Sequence, residues 1–166
     1  MRHPSSALRI DRRRILLGAT LLATPGVALA KPCRPPSVLF VCPAGTVKSA
    51  IARETLKARA GALGVAVDVQ SRGLHVEDHV SPALAAALRA DGVNPAAEPA
   101  RALQDTDVAR ADIVIAFDEA AQAPQMQRAR VWDIPSWNSD YSGAKAALAT
   151  HVDDLIAGLR SKAGRC

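Results

Sequence analysis

A short loop in the first third of the chain combines the residue types needed for nucleophilic chemistry on an anion. It reads Cys-Pro-Ala-Gly-Thr-Val-Lys-Ser over residues 42–49, so five residues separate a cysteine from a lysine and a serine. The small residues Ala44 and Gly45 let such a loop curl until its backbone N–H groups converge on an anion. The same N–H dipoles favour a thiolate over a thiol. One loop can therefore hold a phosphate-like dianion with the Cys42 thiolate beneath it as a nucleophile.

The segment expected to surround the anion runs from the residue after the cysteine to the serine. Its members are Pro43, Ala44, Gly45, Thr46, Val47, Lys48 and Ser49.

The elements around this loop are those of an open α/β sheet. Short apolar runs predict four strands, over 37–41, 65–69, 112–117 and 130–132. Helical spacing of apolar residues predicts helices over 49–63, 81–91 and 148–159. Strands alternating with helices pair in parallel through right-handed crossovers. We therefore expect a three-layer α/β/α domain with a four-stranded parallel sheet over residues 37–160.

The position of the loop in this sheet supports a chemical role. Ligands of open α/β sheets bind beyond the carboxyl ends of the strands, and Cys42 follows the first predicted strand directly. Each residue also has a plainer interpretation: Cys42 as a buried core cysteine, Lys48 as a solvated charge, and Ser49 as a helix cap. The strand–loop–helix junction favours the nucleophile.

The composition excludes several other classes of protein. The chain has 166 residues, 49% hydrophobic and 22% charged, which is the balance of a globular domain. Aromatic residues make up only 3%, so few nucleobases could be stacked. Of the net charge of +5, residues 1–30 carry +4, from five arginines and one aspartate. We therefore expect no nucleic-acid partner, because the basic character belongs to the N-terminus.

Residues 1–30 have the three regions of a cleaved signal peptide. Paired arginines precede an apolar run over 15–22, and Ala28 and Ala30 provide the small residues that a signal peptidase reads. The arginines resemble those of a twin-arginine signal. An uncleaved membrane anchor is the alternative, but the run is shorter than the roughly 20 residues that a bilayer requires. We expect cleavage after Ala30, a periplasmic or secreted protein, and no membrane association afterwards.

The loop and three later segments together resemble one known family. Cys-x5-Lys-Ser after a Val-Leu-Phe-Val strand is similar to the Cys-x5-Arg-Ser of the low-molecular-weight protein tyrosine phosphatases, whose fold arsenate reductases share. In the same order as in that family, residues 71–73 resemble Ser-Ala-Gly, residues 100–103 Ala-Arg-Gln-Leu, and residues 111–114 Ala-Asp-Leu-Ile. The resemblance covers roughly residues 37–160.

The resemblance implies a two-step phosphatase mechanism without a metal or other cofactor. Cys42 would attack phosphorus and form phosphocysteine, while Ser49 donates a hydrogen bond to the thiolate. Lys48 would bind the equatorial phosphate oxygens. An aspartic acid from a late loop would protonate the leaving phenol, and water would then release phosphate. The implied substrate is a phosphomonoester, with protein phosphotyrosine as one candidate.

The loop itself departs from the family at two positions. Lys48 replaces an arginine, so one point charge stands where a planar fork would grip two oxygens. Gly45 replaces an asparagine that props the loop in the family.

The late acid is ambiguous in this sequence. The family has Trp-x-Ile-x-Asp-Pro, whereas residues 132–137 read Trp-Asp-Ile-Pro-Ser-Trp. Alignment on the tryptophan and isoleucine puts Ser136 at the position of the acid, and the pattern favours this alignment. Alignment of Asp133 and Pro135 with the Asp-Pro pair of the family makes Asp133 the acid, with one residue inserted between the two. Asp140 is a third candidate, and Asp133 is kept as the candidate catalytic acid.

Three functions remain open from the sequence. The first is an exported phosphatase acting on a phosphorylated substrate. The second is a domain that binds phosphate or another free oxyanion without turnover. Arsenate reduction is the weaker third, because a redox relay from Cys42 needs nearby cysteines and the other two, Cys33 and Cys166, lie near the ends of the mature chain. Those two cysteines could instead form a disulfide.

Overall fold

The computed structural model describes residues 34–163. The predicted signal peptide, its cleavage site and the possible Cys33–Cys166 disulfide lie outside the described residues. None of the helices within 34–163 combines the length and the hydrophobicity needed to span a bilayer.

Four parallel strands form the central sheet, as the sequence predicts. They are β1 (Ser37–Cys42), β2 (Asp68–Gly73), β3 (Ile113–Ala116) and β4 (Arg130–Val131), in the spatial order β2-β1-β3-β4. The central strand β1 is buried along its whole length. Its continuous apolar sequence is typical of a parallel strand covered on both faces.

Helices cover both faces of the sheet. They are α1 (Lys48–Ala62), α2 (Pro82–Ala90), α3 (Asp105–Arg110) and α4 (Tyr141–Ala163). Val38 and Phe40 of β1 belong to the core shared with α1, α2 and α4. Leu39 and Val41 point to the opposite face and form a smaller core with Val108 of α3. The domain is therefore a three-layer α/β/α structure.

The second strand differs from its predicted bounds, 65–69, and begins only at Asp68. The reason lies at the end of α1, where Gly64 adopts φ +65°. The Val65 amide donates to the carbonyl of Ala60 (2.9 Å), and the Gly64 amide donates to that of Gly61 (3.1 Å). These two bonds form a Schellman motif. The apolar residues after Gly64 therefore complete the helix cap and the turn, and pairing with β1 starts at Asp68 opposite Ser37.

Candidate active site

The Cys42 thiol lies at the end of β1, only 3% exposed, within reach of two hydrogen-bond donors. The Gly45 amide donates to Cys42 Sγ at 3.2 Å, and the hydroxyl of Ser49 lies 3.0 Å from Sγ. Ser49 Oγ is also 3.3 Å from the carbonyl oxygen of Arg72. A neutral thiol can donate to Ser49 while the hydroxyl donates to Arg72. Once the thiol ionises, the hydroxyl can turn to donate to sulfur, so both charge states are accommodated.

The carbonyl groups of the loop point away from the sulfur. Those of Cys42, Pro43 and Ala44 accept hydrogen bonds from the amides of Leu74 (3.2 Å), His75 (3.0 Å) and Glu77 (3.2 Å) respectively. This anchors the first half of the loop to the segment that follows β2. It also fixes the role of Pro43: proline has no N–H to donate, so Pro43 lines the site without contributing an amide to the anion.

Several amides of the loop are left without a protein partner. Among residues 34–163, no acceptor engages the amides of Ala44, Thr46 and Val47. Helix α1 begins at Lys48, and Val47 caps it without a side-chain hydrogen bond. The first amides of a helix have no partner within the helix and carry the positive end of its dipole. We call the N–H groups of residues 44–49 the anion nest.

Two glycines allow the nest to close. Gly45 adopts φ +75°, a left-handed conformation that favours glycine. A Cβ added to Gly45 would lie 2.9 Å from the Gly73 nitrogen, and one added to Gly73 would lie 2.8 Å from the carbonyl carbon of Ala44. The loop and the end of β2 therefore touch backbone to backbone. This contact explains why glycine stands at position 45.

The Lys48 ammonium is held by two oxygen atoms. It donates to Asp118 Oδ1 at 2.5 Å and to the carbonyl oxygen of Ile134 at 2.6 Å. An ammonium has three N–H donors, so one remains for a bound anion. The cation predicted to bind phosphate is thus partly neutralised by a carboxylate.

A cavity of about 280 Å³ opens above the sulfur. Cys42 and Lys48 line it together with residues from three later segments of the chain: His79, Asp118, Glu119, Ser136, Trp137 and Asn138. The pocket therefore contains the Cys42 thiol and the Lys48 ammonium, and it lies at the carboxyl end of the sheet, where the sequence predicts a ligand site.

A family model described as low molecular weight phosphotyrosine protein phosphatase matches residues 37–158. The chain belongs to this phosphatase family.

Solved structures of similar fold include phosphatases and an arsenate reductase. YfkJ from Bacillus subtilis has a TM-score of 0.63 at 18% sequence identity, over 80% of this chain and 99% of that chain. SP-PTP, a low-molecular-weight protein tyrosine phosphatase from Streptococcus pyogenes, has a TM-score of 0.60 at 16% sequence identity, over 75% of this chain and 93% of that chain. An arsenate reductase in the phosphate binding state has a TM-score of 0.60 at 18% sequence identity, over 75% of this chain and 98% of that chain. Identities this low indicate the fold alone. A search of curated proteins gave no match.

The late loop of this phosphatase-family domain places a serine in the pocket. Ser136 lines the cavity, whereas Asp133 and Asp140 do not. Asp133 is exposed and precedes the buried Ile134. The Asp140 carboxylate accepts a hydrogen bond from the Gly143 amide at 2.9 Å and caps α4. The assignment of the catalytic acid to Asp133, and the alignment that puts Ser136 at that position, both remain predictions.

Asp118 is a pocket residue that the sequence analysis missed. It follows β3 by two positions and adopts φ +51°, the only positive φ of a non-glycine residue among residues 34–163. Non-glycine residues adopt this conformation rarely and at a cost of about 1–2 kcal/mol, and aspartate tolerates it better than most. The sequence feature that could have identified Asp118 is its position just after the third strand, because Cys42 was identified by the same kind of position after the first strand.

The segment after β2 forms one wall of the pocket. Thr46 Oγ1 donates to the carbonyl of Glu77 at 2.7 Å and accepts from the His79 amide at 3.2 Å, which ties this wall to the anion nest. The imidazole of His79 pairs with the carboxylate of Glu77 at 2.9 Å. Within residues 34–163, no three His, Cys, Asp or Glu side chains are grouped so that they could hold a metal ion.

A larger cavity, of about 720 Å³, lies beside the loop. It is lined by Gly45 and Thr46, by Arg89 of α2 and by the residues around a short 3₁₀ turn at Pro95–Ala97. Cys42 does not line it. The smaller cavity, which contains the sulfur and Lys48, is therefore the candidate active site of this family member.

Proposed function

We propose that this protein is an exported phosphomonoesterase that transfers the phosphoryl group of its substrate to Cys42 and then hydrolyses the phosphocysteine. The observation that carries the proposal is the position of Cys42 Sγ, which receives a hydrogen bond from the Gly45 amide and lies 3.0 Å from Ser49 Oγ at the base of the anion nest. Both contacts stabilise a thiolate, which is the nucleophilic form of cysteine.

In the first step, the Cys42 thiolate attacks phosphorus from below. The P–S bond forms, the P–O bond to the leaving group breaks, and the leaving oxygen takes the electron pair. The three equatorial oxygens would face the free amides of the nest and the third N–H of Lys48. Donors fixed in advance around a transferring phosphoryl group are the main way that such sites lower the barrier.

In the second step, water attacks the phosphorus of phosphocysteine. The P–S bond breaks, the thiolate returns to its contacts with Gly45 and Ser49, and inorganic phosphate leaves. The proton that the attacking water gives up passes to phosphate or solvent. The Ser49 hydroxyl supports this step because it can donate to the departing sulfur as negative charge returns to it.

Oxyanion binding without turnover is the second candidate. Two observations favour it: the Asp118 carboxylate occupies one donor of Lys48, and the pocket is lined by Ser136, which the favoured alignment puts at the position of the family's acid. Arsenate reduction has less support from this chain. A relay from Cys42 would have to pass to Cys33 or Cys166, which both lie outside the described residues.

Hydrolysis of p-nitrophenyl phosphate distinguishes these functions, because p-nitrophenolate is a good leaving group. The proposal predicts measurable turnover that Cys42→Ser abolishes, with the variant still folded by circular dichroism. Tight phosphate binding by calorimetry without turnover would establish the oxyanion-binding alternative instead. Arsenate-dependent oxidation of thiols would establish the reductase.

We further propose that residues 1–30 direct export and are removed after Ala30. The paired arginines, the apolar run and the small residues before the cleavage site support this proposal. N-terminal sequencing of the protein from a fractionated bacterial host is the test. The expected product starts at Lys31 and is found outside the inner membrane, and changing Arg12 and Arg13 to lysine should leave the precursor in the cytoplasm. An unprocessed wild-type chain in the cytoplasm would contradict the proposal.

A further inference from the structure

The late-loop side of the pocket offers a hydroxyl where family members offer a carboxylic acid. Ser136 lines the cavity above Cys42, and its side chain is exposed. A serine hydroxyl is too weak an acid to give up its proton near neutral pH, so Ser136 cannot protonate a leaving group usefully. The two neighbouring aspartates do not line the cavity, and Asp140 is committed to capping α4.

The other titratable groups of the pocket differ from Ser136 in their contacts and exposure. The Asp118 carboxylate accepts a hydrogen bond from the Lys48 ammonium at 2.5 Å, so protonation of Asp118 would break that ion pair. The His79 ring is paired with Glu77. Glu119 is exposed at the rim of the pocket, in the turn after β3. Lys48 is a donor to phosphate oxygens and to its two protein partners.

We propose that the substrate of this site is a phosphate whose leaving group departs as an anion without being protonated, of which acyl phosphates are the chemical class that fits best. The carboxyl group that leaves from an acyl phosphate has a solution pKa of about 4, whereas the phenol of tyrosine has a pKa of about 10. A general acid contributes about 10²–10⁴-fold to the rate when the leaving group is basic. A pocket that offers the Ser136 hydroxyl at the position of the acid loses that factor for phosphotyrosine and keeps its rate for an acidic leaving group.

The chemistry balances without a proton donor. The thiolate of Cys42 forms the P–S bond, and the P–O bond breaks with its electron pair on the leaving carboxylate or acidic phenolate. Phosphocysteine then reacts with water as described above. The inference rests on the proposed function, because it assigns a substrate class to the same site.

The dependence of kcat/KM on leaving-group acidity tests the proposal. The probes are acetyl phosphate and a series of aryl phosphates from 2,4-dinitrophenyl to phenyl phosphate, whose phenol is about as basic as that of tyrosine. The ratio kcat/KM is the quantity to use, because it reports the steps up to P–O cleavage and is not limited by the later hydrolysis of phosphocysteine. We expect it to fall by at least about 10²-fold across the aryl series, and we expect acetyl phosphate to react like the activated esters.

A single substitution supplies the missing acid. Ser136→Asp should raise kcat/KM for phenyl phosphate by about 10-fold or more and change it little for 2,4-dinitrophenyl phosphate, so the dependence becomes shallower. Ser136→Asn is the matched control, since asparagine has the shape of aspartate without its acidity. It should keep the steep dependence of the wild type.

The outcomes separate the two proposals. No turnover of any probe, 2,4-dinitrophenyl phosphate included, would contradict the proposed function. If the wild type turns over the probes and its kcat/KM depends only weakly on leaving-group acidity, the substrate inference alone is overturned. Another residue would then act as the acid, and whichever of Glu119→Gln and His79→Gln makes the dependence steep would identify it. A steep dependence that Ser136→Asp leaves unchanged would also overturn it, because Ser136 would then not occupy the position of the acid.

Discussion

Lys48 and Asp118 form an ion pair inside the pocket that contains Cys42. The ammonium lies 2.5 Å from the Asp118 carboxylate, and its second contact, the Ile134 carbonyl, is 2.6 Å away. The Lys48 side chain is only 13% exposed, so solvent screens the pair less than it would on the surface. The pair orients the cation and at the same time places a negative charge beside the anion nest. Phosphate binding at this site is therefore a balance between these two effects.

The charge of Asp118 can be removed without changing its shape. Asp118→Asn should tighten the inhibition constant of inorganic phosphate by about tenfold, because it removes a negative charge that repels the bound anion. Two like unit charges about 4 Å apart repel by about 4 kcal/mol near a protein surface, and a tenfold change corresponds to about 1.4 kcal/mol. Asparagine also tolerates the φ of +51° at this position. Glu119→Gln is the control, since Glu119 lies in the same turn but does not contact Lys48. Equal tightening in both variants would show a general charge effect and no specific role for the pair.

Arginine at position 48 should improve catalysis. A guanidinium can bind Asp118 with one edge and present its remaining N–H groups to two phosphate oxygens, which lysine cannot do. We expect Lys48→Arg to raise kcat/KM for p-nitrophenyl phosphate by about tenfold or more. The measurement is steady-state kinetics together with thermal unfolding. Unchanged kinetics in a variant of unchanged stability would show that residue 48 does not contact the phosphoryl group.

Restoring the family's asparagine at position 45 should harm this protein. A Cβ there would lie 2.9 Å from the Gly73 backbone nitrogen, and the φ of +75° disfavours most side chains, although asparagine tolerates it better than alanine does. We expect Gly45→Asn and Gly45→Ala each to lower the free energy of unfolding by about 2 kcal/mol or more. The control is Gly61→Ala in α1, where an added Cβ meets nothing within 4 Å. That variant should be as stable as the wild type or up to about 1 kcal/mol more stable, and a neutral Gly45→Asn would contradict the close contact.

The ion pair between Arg72 and Asp107 should make stability depend on pH in the acid range. Burial raises the pKa of Asp107, but the hydrogen bonds from Arg72 and the Gln104 amide and the nearby guanidinium charges more than offset it, so the pKa is lowered. A carboxyl group with a lowered folded-state pKa stabilises the protein above its unfolded pKa of about 3.9, and this contribution is lost as the pH falls through the folded value.

Denaturant unfolding of Asp107→Asn at several pH values measures this contribution. At pH 7 the substitution should cost about 1–3 kcal/mol, since charge-assisted hydrogen bonds link β2 to α3 here. The difference from the wild type should shrink below about pH 3.9. The exposed Asp105 of the same helix serves as the control, and Asp105→Asn should have a smaller effect. A cost for Asp107→Asn that stays constant down to acid pH would exclude the ion pair as its cause.

The part of the site that the sequence predicted is the part encoded locally. The apolar run of β1, the small residues of the loop and the helical spacing after it follow one another within residues 37–62, so period and composition were enough to predict them. The bounds of β2 could not be predicted in this way, because the Schellman cap after α1 uses an apolar residue, Val65, that also fits a strand.

The contacts of the pocket walls could not be read from the sequence for a different reason. Lys48 and its partners Asp118 and Ile134 are 70 and 86 positions apart, and no local pattern brings them together. The sequence offered Ser136, Asp133 and Asp140 for the position of the late acid, and only the spatial arrangement of the late loop shows that Ser136 alone of the three lines the cavity.

Detection of phosphocysteine within a single turnover is the sharpest test of covalent catalysis by Cys42. The protein is mixed with 2,4-dinitrophenyl phosphate, quenched in denaturant on the millisecond scale, and the peptide that contains Cys42 is analysed by mass spectrometry, with Cys42→Ser as the control. We expect a phosphoryl group on Cys42 that appears together with the released dinitrophenolate and decays as inorganic phosphate forms. Steady release of dinitrophenolate by a protein that never carries phosphate on Cys42, or equal release by Cys42→Ser, would contradict covalent catalysis by Cys42.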